Sequence, residues 1–592
     1  MKKEWALSKN KVLINFSQRY CDTEEKVLNS EGFRSVLDHY LRYAEKRESR
    51  SYRFIVDLME EKDCDRLIAR ITQLCKLLIV MDVKELSSGF EEYKNVYKNR
   101  EPLRKFVEEV YTYWRNLERY AIIHDTKITE GFLNTSFMEA KDKFDKLMIT
   151  VYRKITNNIS MSEPTVYRQV PAGSNVGMIV YDAIWPIPMG YEILDGIPFI
   201  KEIILQSPYI TYPKKNKRDG YFEELELNPL RRCGINADRF FCYPAKVGNL
   251  LAYIFVERDF LTHGVSLANL FELPSDLEIS GRKPDLLVIF GAEDHRGEEV
   301  SGFYEDDENE MIVGYVSADE KHDYFGYMKK MVLTLNNLYN IRKGYLPIHG
   351  AMVHIELKDG SKANVVIVGD SGAGKSESIE AFRALANEYI SDMTIVFDDM
   401  GTFKLENNLV KGYGTEIGAF VRLDDLEAGY AFKELDRSIF MNPDRINARL
   451  ITPVATYDEI SKGLPIDLLL YANNYDELKD GEHAVEIYEN STDAKDLFVA
   501  GMRMAKGTTT ENGLSTSFFA NPFGPHQRKE ETLELIDEYF DKLYEIDVPV
   551  GVLKTQLGIE GMEKEGPRKA AIDLFQLIKK LKSSGDENEN IE

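Results

Sequence analysis

The segment NVVIVGDSGAGKSESIEAF, residues 364–382, decides the fold of the larger part of this chain. A β-branched run from Val365 to Val368 predicts a buried strand, and the residues from Glu377 onward predict a helix. Between them, residues 369–376 match G-x-x-x-x-G-K-[ST], the glycine-rich loop that binds phosphate in a strand–loop–helix unit. We therefore predict a phosphate-binding loop on an α/β core.

The residue types in this loop have physical roles. The glycines let backbone N–H groups turn inward around phosphate oxygens, and the helix N-terminus adds a favourable dipole. Lys375 reaches the β and γ phosphates, and Ser376 can hold Mg²⁺. A chance glycine turn is the alternative, but the flanking strand and helix argue against it. The predicted nucleotide-binding residues are Gly369, Asp370, Ser371, Gly372, Ala373, Gly374, Lys375, Ser376 and Glu377.

A second acidic element is expected downstream, because phosphoryl transfer uses a divalent cation. Residues 394–403, TIVFDDMGTF, predict a strand that ends in Asp398 and Asp399. Adjacent strand residues point to opposite faces, so one carboxylate can bind the cation while the other orients a water or a base. A simple turn is the alternative reading of this pair.

Composition narrows the functional class. The 592 residues include 75 Lys+Arg and 99 Asp+Glu, a formal charge of −24, which argues against a nucleic-acid partner but permits a local basic pocket for a small anion. The five cysteines lack C-x-x-C spacing, as is typical of a reducing cytosol. No apolar run reaches the length of a signal peptide or a membrane span, so we predict a cytoplasmic protein with no membrane partner.

The hydrophobic pattern and composition of the sequence change near residue 165. Residues 1–165 contain amphipathic helical patterns, including CDRLIARITQLCKLLIVMDVKEL and PLRKFVEEVYTYWRNLERYAII. We predict an all-α N-terminal domain that packs on itself, on a protein partner or on a second copy. Beyond it we predict an α/β substrate lobe over 166–325, a nucleotide- and metal-binding catalytic lobe over 326–582, and a disordered tail over 583–592.

The α/β prediction for the larger part rests on short apolar runs bounded by Gly or Asp, which alternate with helical stretches. These runs are FFCYPAKVG, LLAYIFVER, KPDLLVIFGAE, NVVIVGDSG, MTIVFDDMG and IDLLLYANN.

Four motifs in one order carry a resemblance to a known family. DYFGYMKK (323–330) precedes PIHG (347–350), and the phosphate loop and FDDMG follow. Their order and spacing resemble those of the ATP-using phosphoenolpyruvate carboxykinases. The segments KPDLLVIFGAE, INARLITP around Arg449, and GMRMAKGTTTENGLSTSFFANPFG (501–524) resemble a substrate-lobe strand, an arginine-bearing strand and a mobile lid of that family. The resemblance covers roughly residues 180–580 and implies its two-lobed mixed α/β core.

The resemblance implies a reaction and a metal site. In that family oxaloacetate loses CO₂ to give an enolate, which takes the γ-phosphoryl group of ATP to form phosphoenolpyruvate, and the reaction also runs in reverse. A transition metal, usually Mn²⁺, is held by a lysine amine, a histidine and an aspartate. These ligands fall on Lys330, His349 and Asp399. A lysine can ligate only as the free amine, so its pKa must be lowered.

Further roles follow from the same resemblance. Lys375 and Arg449 would offset charge on the transferring phosphoryl group, Tyr324 would stand near the substrate carboxylate, and Ser371 would face the reacting centre. Simpler readings compete with these roles: a lone histidine such as His349 is commonly a core residue, adjacent lysines are usually a solvated pair, and an arginine on a strand is often exposed.

Two departures from the family pattern keep other functions open. The family's carboxylate-gripping arginine loop is missing, and only YPKKNKRD (212–219) could substitute for it, through Arg218 or Lys215. Glu377 replaces a second hydroxyl residue, and GKSE instead resembles the serine kinase that acts on the phosphocarrier protein HPr. A kinase with another small-molecule or protein acceptor and a non-catalytic nucleotide-dependent scaffold are therefore alternatives. The sequence does not decide between ATP, GTP and pyrophosphate, although residues 553–558 are a candidate base pocket.

Overall fold

The computed structural model describes residues 3–47, 49–125, 132–161, 172–218, 220–370, 372–423, 426, 435–479, 481–505 and 513–586. The chain forms two compact units. The first comprises Met1–Asp182 and Pro198–Tyr209, and the second comprises Ala183–Ile197 and Ile210–Glu592. Helices and mixed sheets occur in both, so the predicted mixed α/β class is confirmed.

The first unit contains the predicted amphipathic helices together with a mixed sheet. Its described helices are α1 (Glu24–Leu28), α2 (Glu31–Lys46), α3 (Arg50–Met59), α4 (Cys64–Leu78), α5 (Val83–Gly89), α6 (Arg100–Asn116) and α7 (Phe132–Ser160). Its strands, in sheet order, are β1 (Trp5–Ser8), β2 (Lys11–Asn15), β3 (Glu118–His124), β4 (Val176–Tyr181) and β5 (Phe199–Leu205). The prediction of an all-α N-terminal domain is therefore wrong.

One error in that prediction has a clear local cause. The segment PLRKFVEEVYTYWRNLERYAII has an amphipathic helical pattern, but α6 ends at Asn116 and β3 begins at Glu118. The buried Arg119 guanidinium donates hydrogen bonds to the carbonyl oxygens of Trp114 and Leu117, each at 2.8 Å, and so satisfies the free carbonyls at the helix end. The β-branched residues that follow then pair with β2 and β4.

The first part of the second unit contains mostly short helices and strands, together with two longer strands that pair antiparallel. Its described helices are α8 (Leu261–Ser266), α9 (Asp276–Ile279), α10 (Phe325–Arg342), α11 (Lys375–Tyr389), α12 (Tyr457–Ser461), α13 (Ser491–Ala500), α14 (Lys529–Glu545) and α15 (Glu565–Asp586). Its first strands are β6 (Tyr209–Thr211), β7 (Glu223–Glu224), β8 (Cys233–Gly234), β9 (Phe240–Val247), β10 (Leu250–Glu257), β11 (Leu286–Asp294), β12 (Ser301–Asp306) and β13 (Met311–Ser317).

The remaining strands of this unit follow α10. They are β14 (Leu346–Leu357), β15 (Lys362–Val368), β16 (Ile390–Glu406), β17 (Leu409–Gly414), β18 (Gly418–Arg422), β19 (Ile439–Met441), β20 (Arg449–Pro453), β21 (Leu464–Pro465), β22 (Leu468–Asn473), β23 (Val485–Ile487), β24 (Met502–Ala505), β25 (Gly513–Thr516) and β26 (Val550–Lys554).

These strands form mixed sheets in the orders β9-β10-β11-β13-β12-β7, β21-β17-β16-β14-β15-β22-β26-β23, β18-β20-β19-β6 and β24-β25. The apolar runs predicted as strands are β9, β10, β11, β15, β16 and β22, and all six are confirmed. Strands β15, β22 and β26 pair in parallel and are almost entirely buried, which explains their unbroken apolar sequences. Helices α11 and α15 share a core with this sheet.

Some domain predictions remain open. The predicted boundary at residue 165 lies outside the described residues, and the division of the larger part into two lobes stays a prediction. Helix α15 extends through residues 583–586, which the sequence had assigned to a disordered tail. Among the described residues, no helix combines the length and apolar character needed to cross a membrane.

Candidate functional site

The phosphate loop lies where predicted, between β15 and α11, although the helix starts at Lys375 rather than Glu377. Gly372 and Gly374 have φ angles of +82° and +107°, a region that favours glycine. A Cβ atom on Gly374 would lie 2.8 Å from Thr555 Oγ1. Glycine is therefore required at this position both for the backbone conformation and for space.

Hydrogen bonds from side chains hold the loop in shape. The buried Lys375 Nζ donates to the carbonyl oxygen of Gly369 at 2.6 Å, and Asn474 Nδ2 donates to that of Gly372 at 3.0 Å. The lysine ammonium therefore lies across the loop, where a phosphate group would meet it. Three predicted loop assignments fall outside the described part of the structure: Ser371 as a whole, and the side chains of Ser376 and Glu377.

Asp370 connects the loop to the segment that resembles a lid. Arg503 Nε on β24 donates to Asp370 Oδ2 at 3.2 Å, and both side chains are about nine-tenths buried. His349 Nδ1 lies 3.6 Å from the other oxygen of Asp370. Residues 506–512, which belong to the segment that resembles a lid, lie outside the described residues.

Strand pairing brings His349 and Asp399 together. In the antiparallel β14–β16 ladder, Gly350 faces Asp399, so the two side chains come from neighbouring positions on adjacent strands. His349 Nε2 lies 2.9 Å from Asp399 Oδ1. His349 Nδ1 lies 2.7 Å from the carbonyl oxygen of Ala520, which can only accept, so Nδ1 carries a proton.

Two consecutive lysines of α10 meet the same carboxylate. Lys329 Nζ and Lys330 Nζ donate to Asp399 Oδ2 at 2.7 and 2.6 Å. Lys329 is completely buried and also lies 3.1 Å from Glu416 Oε1. The alternative of a solvated lysine pair is therefore wrong. These residues form a charge cluster, which we define as Lys329, Lys330, His349, Asp399 and Glu416.

The charge cluster shifts the pKa values of its members. Burial lowers the pKa of Lys330 to about 8, assisted by the Lys329 ammonium and opposed by Asp399. Burial and the nearby Lys375 ammonium lower the pKa of His349. Burial raises the pKa of Glu416 to about 7. Burial opposes ionisation of Asp399 as well, but the two lysine ammonium groups outweigh it and hold the pKa of that carboxyl well below its usual range.

These protonation states suit a cation ligand set. With its proton on Nδ1, a neutral His349 directs the Nε2 lone pair at the Asp399 carboxylate, a contact that a bound cation would make favourable. The lowered pKa of Lys330 makes its free amine accessible near neutral pH. Among the described residues, no three His, Cys, Asp or Glu side chains are grouped to hold a metal ion. A set built on His349 and Asp399 would take the Lys330 amine as its third donor.

Asp399 has an unusual backbone conformation. Its φ angle is +120°, a strained value for a residue with a Cβ atom, and strain of this kind is often found where a side chain must be aimed at a ligand. The preceding Asp398 is buried opposite Ala351 on β14. Of the two aspartates, Asp399 is the one that contacts the lysines and the histidine, and the metal role of Asp398 stays a prediction.

The ring of Phe420 joins Arg449 to the charge cluster. The Arg449 guanidinium carbon lies 5.2 Å from the centre of that ring, and Lys329 Nζ lies 5.6 Å from it. The ring of the buried Tyr324 lies 6.2 Å from the same ring. Arg422 faces Arg449 across the β18–β20 pair. Arg449 and Tyr324, two of the predicted residues, therefore lie beside the Phe420 ring, which Lys329 also contacts.

A second ring, that of Phe523, joins Arg218 to the site. Lys330 Nζ lies 4.6 Å from the ring centre and the Arg218 guanidinium carbon lies 5.2 Å from it. Arg218 therefore lies near the proposed metal ligands. Lys215 is placed differently, since its side chain is exposed and its backbone N–H donates to the Asp323 carbonyl oxygen at 3.1 Å. Of the two candidates, the structure brings Arg218 to the site.

Asparagines fix the loop that carries Arg218. Asn216 Nδ2 donates to the carbonyl oxygen of Ile446 at 3.0 Å, and Asn447 Nδ2 donates to that of Asn216 at 2.5 Å. The loop is therefore bound to the segment that immediately precedes Arg449. These hydrogen bonds therefore link the loop of Arg218 to the segment of Arg449.

Several residues of the site were missed by sequence reasoning. They are Glu416, Phe420, Arg503, the Ala520 carbonyl group and Phe523, and Lys329 was considered only as a solvated neighbour. A buried Lys-Lys pair cannot be distinguished from an exposed one by sequence, because both helix positions can face either way. Thr555 belongs to the candidate base pocket and lies next to the phosphate loop. Its Oγ1 is 3.4 Å from the Ala373 carbonyl oxygen.

No model of a known protein family matches this chain, and no curated protein matches it either.

Proposed function

We propose that this chain is a phosphoenolpyruvate carboxykinase-like phosphotransferase, which converts oxaloacetate and ATP to phosphoenolpyruvate, CO₂ and ADP, reversibly and with Mn²⁺ and Mg²⁺. One observation carries the proposal. The Lys330 amine, the His349 imidazole and the Asp399 carboxylate converge, with Nζ and Nε2 at 2.6 and 2.9 Å from the two carboxylate oxygens. The set also adjoins the phosphate loop, because Gly369 N–H donates to the His349 carbonyl oxygen at 3.0 Å.

The three donors suit a divalent transition metal better than other uses of the same residues. A purely structural ion pair would need neither a histidine lone pair directed at the carboxylate nor an amine with a pKa of about 8. When bound, such a metal ion supplies Lewis-acid stabilisation of a developing enolate oxygen. Lys329, fully buried, remains protonated and balances the charge of Asp399.

Other residues suit the two anionic substrates. Arg218 offers a guanidinium to a carboxylate of oxaloacetate. Cleavage of the carbon–carbon bond releases CO₂ and leaves the electron pair on the enolate, whose oxygen then attacks the γ-phosphorus of ATP as ADP leaves. Lys375 and Arg449 offset the negative charge of the transferring group, which is the main catalytic requirement of phosphoryl transfer.

The test is direct detection of the product. The purified full chain, Mn²⁺, Mg²⁺, oxaloacetate and ATP are combined and followed by phosphorus NMR, with GTP and pyrophosphate as alternative donors. We expect phosphoenolpyruvate and ADP in equal amounts, and loss of both in Lys375→Ala. Asp392→Asn, an exposed change on β16, is the matched control and should retain activity. ATP consumption without phosphoenolpyruvate would contradict the proposed acceptor and favour a kinase with another substrate.

A further inference from the structure

The first unit contains a cavity of about 130 Å³ that the proposed function does not use. It lies among β1, β2, α2, α6 and α7, and its wall is overwhelmingly apolar. Representative wall residues are Trp5, Phe16, Leu37, Phe106, Trp114 and Val151. This space is partly open to solvent and lies where two hydrophobic clusters of the first unit meet. Protein interiors are normally packed as densely as organic crystals, so an apolar space of this size is unusual.

Several polar groups on the wall are already partnered within the protein. Trp114 Nε1 donates to the Ala172 carbonyl oxygen at 2.6 Å, and Tyr152 Oη donates to Glu108 at 2.6 Å. Arg19 forms an ion pair with Glu4, 3.8 Å apart. The wall therefore offers a bound molecule mainly apolar contact.

Trp5 is consistent with the same chemistry. The benzene edge of its indole lies against Gly32, where an added Cβ atom would be 2.8 Å from the ring. Its Nε1 is buried and has no hydrogen-bond partner among the described residues. A glycine at this position of α2 leaves room for the indole ring.

We propose that the first unit binds a small, uncharged and wholly apolar molecule of about the size of a substituted benzene. Enclosed apolar cavities of about 150 Å³ bind benzene. This cavity has a similar volume and an apolar lining, and it is partly open to solvent. A ligand with a carbonyl or hydroxyl group would lose hydrogen bonds to water against most of this wall, so the site favours apolar molecules over polar molecules of the same shape.

The proposal is tested by calorimetric titration of the full chain with two molecules of matched shape, cumene and acetophenone. Cumene should bind, and acetophenone should bind at least about tenfold more weakly because the mainly apolar wall offers its carbonyl few donors. Cumene at about ten times its Kd should raise the Tm of the first unit by roughly 3 °C. Absence of cumene binding, or equal affinity for the two molecules, would overturn the proposal.

Substitutions that fill the cavity provide a second test of the proposal. Val36→Phe and Val110→Phe place a ring in the cavity from α2 and α6, and each should abolish cumene binding while circular dichroism stays that of the wild type. Val56→Phe, on α3 and outside the cavity wall, is the matched control and should bind cumene normally. Two separate filling variants guard against one of them failing to fold. Cumene binding that survives in a folded filling variant would place the ligand elsewhere.

Discussion

Replacement of Asp399 by asparagine tests the charge cluster without reference to any reaction. The asparagine has the same shape and tolerates a positive φ angle, so the change removes charge while adding little backbone strain. One oxygen of Asp399 accepts from both lysines, at 2.7 and 2.6 Å. Its loss leaves Lys329 with Glu416, at 3.1 Å, as its remaining carboxylate contact in the cluster.

Removing one member of a buried ion pair costs about 3–5 kcal/mol, because the partner is left as an uncompensated buried charge. The lower end of this range applies to Asp399→Asn. The side chain of Asp399 is 22% exposed and that of Lys330 is 17% exposed, so water screens part of the interaction. Lys330 can also lose its proton, since its pKa is already about 8. We therefore expect Asp399→Asn to destabilise the second unit by about 3 kcal/mol at pH 7.

Urea unfolding in the presence of a chelator measures this cost. The chain has three tryptophans, of which Trp185 belongs to the second unit, so a Trp5→Phe/Trp114→Phe background reports on that unit alone. Asp392→Asn is the matched control and should change stability by less than about 0.5 kcal/mol. A double-mutant cycle with Lys330→Met should give a coupling energy of about 1–2 kcal/mol. A cost below about 1 kcal/mol for Asp399→Asn, or no coupling, would refute the reasoning.

Three further outcomes are expected. Gly374→Ala should raise the Kd for ATP at least about tenfold, measured by calorimetry, because it combines a strained φ with a steric clash; Gly344→Ala, with φ +77° and open space around it, should not. Arg449→Met should lower kcat for phosphoenolpyruvate formation about 1000-fold with little change in Tm, and a loss below tenfold would remove this residue from the catalytic set. The Arg232 guanidinium, 2.5 Å from Asp294, lowers the pKa of that carboxyl, so its contribution is complete above the unfolded pKa of about 4 and is lost as pH falls through the folded value. Arg232→Gln should therefore cost about 1–2 kcal/mol in urea unfolding at pH 7 and progressively less as the pH is lowered below about 4, and a cost independent of pH would contradict the pairing.

Local sequence pattern was sufficient to predict structure where the residues that determine it lie within one short segment. The phosphate loop and the buried strands before it were predictable because a β-branched run and a glycine pattern are short-range features. Local pattern failed at residues 118–124, where a few apolar residues fit a helix face and a strand equally well. The hydrogen bonds of Arg119 and pairing with neighbouring strands decide that segment.

The same distinction between local sequence pattern and tertiary contacts applies to the candidate site. Sequence alone determined the residue types of a phosphate loop, a lysine, a histidine and an aspartate in a defined order. Only the tertiary structure decided that Lys329 is buried beside Lys330, that Ala520 sets the proton position on His349, and that the Phe523 ring brings Arg218 close. These contacts join residues far apart in the chain, and their energies depend on burial and charge that no single segment contains.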